Sequence, residues 1–176
     1  MKCSKLWTIG LVLCLALVCP QLNAQQNQGF QLLASTETFA KRALSGDPKA
    51  ASFCYELVPG VRFNNSIQLE IPFGLGVSFE QKGDHVLARQ GYAGIAVGYL
   101  WGGSDVPPIA LKVQACSTLK KGDYAGADLA LRAQLFIDKG EHAFLSLGVG
   151  RFFSYDGNHS SWSVQAGIGI RLKRRL

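Results

Sequence analysis

The chain has 176 residues, 48% of them hydrophobic, and carries eighteen Lys and Arg against twelve Asp and Glu. One domain is expected at this length. The modest positive excess, partly gathered at Lys173, Arg174 and Arg175, does not imply nucleic-acid binding.

At the N-terminus Lys2 and Lys5 precede an apolar run from Leu6 to Val18, followed by Pro20 and the Leu22-Asn23-Ala24 tripeptide. This is the pattern of an export signal over residues 1–24, with Gln25 as the new N-terminus after cleavage and a mature domain over 25–176. The run is shorter than the roughly 20 residues of a spanning helix. Lipidation at Cys19 is the alternative, and Val18 stands against it where a small residue should precede the modified cysteine. Cleavage leaves Cys54 and Cys116, which either pair in an oxidising compartment or stand as two buried thiols; spacing alone does not choose. No later stretch is apolar for long enough to span as a helix, so only a β-barrel could cross a membrane.

The next element is ambiguous. Phe30, Leu32 and Ala34 share one face of a short first strand over Gly29 to Glu37, while a helix over 36–45 competes for the same residues. Ser35 could cap that helix, Glu37 suits its first turn, Lys41 and Arg42 its later turns, and Gly46 with Pro48 would end it. The reading adopted is a first strand followed by a short helix in the first outer loop.

From Phe53 onward the hydrophobic pattern has period two, which predicts seven further strands. One face is apolar: Phe53 to Phe63, Ile67 to Phe79, Ala93 to Trp101, Ile109 to Ala115, Ala125 to Ile137, Ala143 to Phe153 and Trp162 to Leu172, at every second position, with Arg151 its only charge. The other face mixes Gly74, Gly76, Gly94, Gly98, Gly148 and Gly167 with Glu56, Arg62, Glu70, Lys112, Asp128, Arg132 and Arg171. A sheet facing water has no use for so much glycine, which weakens a strand and packs nothing. Small residues interleaved with opposite charges suit the crowded interior of an eight-stranded barrel, leaving the apolar face to lipid. The alternative, a soluble sandwich or barrel, reverses the faces; the apolar side chains are too many for a small barrel interior, although two packed sheets could hold them.

Turns are expected at Asn64-Asn65, over 102–108, at Asp138-Lys139-Gly140-Glu141 and at Asp156-Gly157-Asn158, making neighbouring strands antiparallel. With both termini in the periplasm, Phe53, Tyr55, Phe79, Phe153 and Trp162 fall near the outer rim, and Phe63, Tyr99 and Trp101 near the periplasmic rim.

The last strand, Gln165-Ala166-Gly167-Ile168-Gly169-Ile170-Arg171-Leu172, resembles the C-terminal signal of outer-membrane barrels: a polar residue, a glycine two later, then alternating hydrophobics. It lacks the usual aromatic finish and adds Lys173 to Leu176. With the leader and the seven-strand alternation, nearly the whole mature chain resembles the small barrels of the OmpA and OmpX type. The resemblance implies an all-β, eight-stranded, up-and-down antiparallel transmembrane barrel in the bacterial outer membrane, with the barrel assembly machinery recognising the last strand.

His159-Ser160-Ser161 resembles the His-x-Ser pair of lipid A deacylase barrels, but no Asp or Glu follows Ser161 to orient the histidine, so the triplet is read as part of a loop. His85 and His142 have no ligand spacing around them; neither a metal nor a cofactor is expected. The charges Glu56, Arg62, Glu70, Lys112, Asp128, Arg132 and Arg171 either line a narrow pore or close it as an ion-pair network, and the closed arrangement is the expectation. Lys41, Arg42, Lys49, Lys82, Arg89, Lys120 and Lys121 are read as outer-loop cations, of which Lys82, Arg89, Lys120 and Lys121 are candidate contacts for lipid phosphates. The expected role is structural or in surface interaction, without catalysis; a small pore, a lipid-modifying enzyme and a soluble periplasmic β-protein are the rival classes.

Overall fold

The computed structural model describes residues 30–45, 50–80, 86–102, 106–119, 125–157 and 160–175; the segment 1–24 expected to be an export signal, Lys49, Lys82, His85, Lys120, Lys121 and His159 lie outside them. Among the described residues there are eight antiparallel strands: β1 (Gln31–Ala43), β2 (Ala50–Phe63), β3 in two segments (Ile67–Glu70 and Phe73–Glu80), β4 (Val86–Trp101), β5 (Ile109–Thr118), β6 (Gly126–Phe136), β7 (Ala143–Ser154) and β8 (Ser160–Arg175). Each pairs with its sequence neighbours, and β1 also pairs with β8 from Gln31↔Arg175 to Ala43↔Ser163, so the sheet closes on itself. Closure leaves no exposed strand edge.

The gap in β3 has a local cause. Pro72 has no N–H to give the ladder, and its neighbour Ile71 instead donates to the carbonyl of Pro59, itself a proline, at 2.9 Å. The register runs on unchanged, from Gly60↔Glu70 before the gap to Leu57↔Phe73 after it, so the two segments are one strand. Asn64 and Asn65 both have positive φ, 50° and 59°, the left-handed pair that suits a two-residue hairpin between twisted strands.

The apolar face points outward. Leu131, Leu147 and Ile168 are 42%, 54% and 64% exposed, while Glu70 and Arg132 are 0% and 3% exposed. The soluble arrangement requires the reverse. Outward aromatics gather towards the two ends of the barrel: Tyr99 meets Trp101 at a tilt of 55° with ring centroids 4.7 Å apart near the end that carries the termini, and Phe53 meets Phe79 at 6.5 Å towards the other.

The helix expected over 36–45 is not formed; residues 36–43 belong to β1. Closure explains this. β1 must bond along its length to both β2 and β8, and the segment alternates accordingly, with Leu33, Ser35, Glu37 and Phe39 buried while Leu32, Ala34, Thr38 and Ala40 are exposed. Two ladders of backbone bonds outweigh the capping pattern, which offers only local stabilisation of about 1 kcal/mol.

Candidate functional site

The lumen is the polar part of the molecule, and its width is set by glycine. A Cβ on Gly98 would meet the Lys112 stem at 2.9 Å, one on Gly148 the Arg132 stem at 3.0 Å, one on Gly74 the Tyr92 ring at 2.2 Å and one on Gly169 the Phe144 ring at 2.2 Å. Each of these long interior side chains therefore lies across a glycine of a neighbouring strand. That is why glycine, a poor strand former, recurs on this face.

The charged groups stack in tiers. At the end that carries the termini, Arg62 donates to both carboxylate oxygens of Glu141, the Nη1 contact being 3.1 Å, and to Gln31 at 3.2 Å; Lys173 reaches Glu141 at 3.1 Å. Gln68, with its amide oriented to satisfy both neighbours, accepts from Arg62 at 3.1 Å and donates to Glu70 at 3.2 Å, linking this tier to the next. There Glu70 accepts from Lys112 at 2.8 Å and from Arg171 at 3.1 Å. Arg171 also donates to Gln134 at 2.9 Å and Ser35 at 3.0 Å, and its guanidinium lies 4.8 Å from the Phe136 ring centroid. Phe136 and Phe144 join Leu100 and Ala110 in a small apolar plug.

In the middle tier Arg132 holds Glu56 in a fork, at 2.8 and 3.2 Å, donates to Gln165 at 2.9 Å, faces Glu37 at 3.6 Å and stacks 4.1 Å from the centroid of Phe39. Glu56 accepts further bonds from Tyr92 at 3.0 Å and Gln114 at 2.9 Å, and Ser146 donates to Glu37. Beyond it, Lys41 and Asp128 pair at 2.6 Å and are partly exposed. Cys54 and Cys116 are buried as free thiols.

Among the described residues, four buried cations, Arg62, Lys112, Arg132 and Arg171, thus face four buried carboxylates, Glu37, Glu56, Glu70 and Glu141. Forked, charge-assisted bonds of this kind are the strong ones. They are also mandatory here, since an unpartnered charge in such a place costs several kcal/mol.

The structure places all seven of the interior charges read from the sequence on the lumen side: six lie in the buried tiers, and Asp128 stands apart from them, paired with Lys41. Four members were missed: Lys173, counted only as part of the basic tail, and Glu37, Lys41 and Glu141. Glu37 and Lys41 fell in the segment assigned to a helix; the alternation Leu33-Ser35-Glu37-Phe39-Lys41 was the available signal, and it places Lys41 inside rather than in an outer loop. Glu141 sits in a turn at φ 60°, outside any periodic pattern, and so had no signal. Its pKa is the outcome of opposing effects: burial raises it, but the bonds from Arg62 and then Lys173 prevail and hold it below the usual carboxylate value. Asp138 in the same turn is lowered by the backbone N–H of Ala143 and by His142, whose exposed ring lies 2.8 Å away.

Of the loop cations, Arg42 and Arg89 prove to be strand residues on the outward face, both exposed. Arg151 is outward too, with its guanidinium 4.9 Å from the Phe153 ring and 5.3 Å from the Trp162 ring.

No protein-family model matches the chain, and no curated protein matches it in sequence. Solved structures do resemble it. The N-terminal β-barrel domain of Pseudomonas aeruginosa OprF superposes with a TM-score of 0.52 at 13% identity, covering 82% of this chain and 100% of that one. This is the fold of the small bacterial outer-membrane barrels. Neisserial surface protein A (NspA), at a TM-score of 0.44 and 15% identity, covers 82% of this chain and 97% of its own. A de novo designed transmembrane β-barrel scores 0.47 at 9% identity and covers 84% and 100%. An eight-stranded barrel has an interior just wide enough for side chains to fill, and here the filling is ionic.

Proposed function

We propose that the chain resides in the bacterial outer membrane as a closed, non-conducting barrel with a structural or surface-interaction role, inserted after removal of residues 1–24 through assembly machinery that recognises β8. The observation that carries this reading is the pairing of every deeply buried cation described in the lumen with a carboxylate, tier upon tier, beneath a largely apolar exterior. An aqueous pore gains nothing from such a ladder, whereas a barrel that only needs to stand in lipid is stiffened by it. The apolar exterior has one fitting solvent, the hydrocarbon of a bilayer.

Two measurements test the proposal. Membrane fractionation with gel mobility before and after boiling should find the protein in the outer-membrane fraction, with the unboiled form migrating differently; recovery in the soluble periplasmic fraction would refute it. Purified protein in planar bilayers should give no conductance steps, and reproducible steps from the pure protein would replace the closed-barrel reading with a pore.

A further inference from the structure

Among the described residues, the buried charges of the lumen are paired, and the arginines of the exterior are not. On the outward faces of the described strands the charged residues are Arg42, Arg89, Arg151 and Arg174, and there is no carboxylate among them. None of the ion pairs of the described residues includes Arg42, Arg89 or Arg151. All three lie within four residues of the strand ends opposite the chain termini, so they form a loose band towards that end, the outer one on the reading above. Arg174, at the other end, stands apart.

Two members of the band lie near a single aromatic. Arg151 of β7 is in register with Trp162 of β8, and its guanidinium lies against that ring and against Phe153. On the other side of β8, Arg42 of β1 is in register with Val164, two residues further along. Strand spacing and rise put the two arginine Cα atoms roughly 12 Å apart, within the combined reach of two arginine side chains converging from either side. Contact with the two rings restrains the Arg151 fork, which favours forked bonding to a tetrahedral oxyanion over loose attraction.

We propose that Arg151, Arg42 and Trp162 form an external site for the phosphomonoester headgroup of an outer-leaflet glycolipid, whose acyl chains lie along Val149, Val164 and Leu147 below it. This rests on the membrane reading and on its orientation. The charge selects the ligand: two guanidiniums match the nearly two negative charges of a phosphomonoester near neutral pH better than the single charge of a phosphodiester. Position makes the site tolerable, because an arginine on the lipid face costs little near the interface and several-fold more at the bilayer centre.

The test uses the folded full chain in detergent micelles, exchanged against diphosphorylated lipid A, the same lipid with its phosphates removed, and phosphatidylglycerol, with retained lipid counted per protein. Diphosphorylated lipid A should be retained at least fivefold over the other two. R151Q should lower that retention about fivefold, R42Q less, and the double variant should bring it to the level of the dephosphorylated lipid; R151K, keeping charge without the fork, should fall between. Equal retention of all three lipids, or unchanged retention by a double variant that still shows heat-modifiable mobility, overturns the site while leaving the membrane reading intact. A wild-type chain that is soluble without detergent and lacks heat-modifiable mobility overturns both.

Discussion

Removing Arg132 should be the most damaging single change in the lumen, and its cost can be worked from the contacts. Its guanidinium forks onto Glu56, bonds Gln165 and is the cation nearest Glu37, so Arg132→Met strands two carboxylates that are 0% and 1% exposed. Breaking a buried pair in this way costs about 3–5 kcal/mol. Glu56→Gln is milder, since Arg132 keeps Glu37 and the amide that replaces the carboxylate can still meet Tyr92 and Gln114; about 1–3 kcal/mol is expected. Once Arg132 is gone, Glu56 is a liability rather than a partner, so the double variant should be no less stable than Arg132→Met alone. The implied coupling is about 1–3 kcal/mol. Urea unfolding in lipid vesicles, with the folded fraction read from unboiled gel mobility, measures all four corners of the cycle. If the two losses add to within about 0.5 kcal/mol, the tier is not an ion-pair unit and the argument for a closed lumen loses its physical basis.

Three further outcomes are expected. Replacing Glu70, Lys112 and Arg171 together by alanine removes the second tier and should let water through, seen as conductance steps in planar bilayers where the parent gives none. Gly169→Ala drives a methyl into the Phe144 ring and should cost about 1–3 kcal/mol by overpacking in the same urea assay. Glu141, whose folded pKa is depressed, contributes stability that is present above the unfolded value of 4.5 and is lost as the pH falls through the lower folded value; the urea midpoint of the parent should therefore drop on acidification below pH 4.5, and Glu141→Gln should flatten that part of the profile.

The period-two pattern made the barrel legible because each strand has two unlike solvents, and a strand that faces lipid on one side and ions on the other can hardly be written in any other way. The same alternation located Glu56, Arg62, Glu70, Lys112, Arg132 and Arg171. It could not rank the uncharged polar residues that complete their shells, such as Tyr92, Gln114 and Gln134, because a glutamine is as ordinary in a strand facing water as in a filled lumen. β1 was misread where Ser35, Glu37, Lys41 and Arg42 satisfy local helix chemistry; its strand character comes from β2 and β8, partners remote in sequence. Arg89 was placed in a loop because β4 begins earlier, at Val86, than its apolar alternation does.

The seam between β1 and β8 bears on how the molecule is made. Ser35 and Arg171, bonded across it, stand 136 positions apart, and the carboxylate of Glu37 waits on the first strand for a guanidinium on the sixth. A growing or truncated chain can form hairpins but cannot shelter these ions, for the cylinder has no inside until its final rung is laid. Zipping of the ends and neutralisation of the interior therefore depend on one another, and a chain halted short of β8 is expected to leave these ions unsheltered and so to stay outside the hydrocarbon.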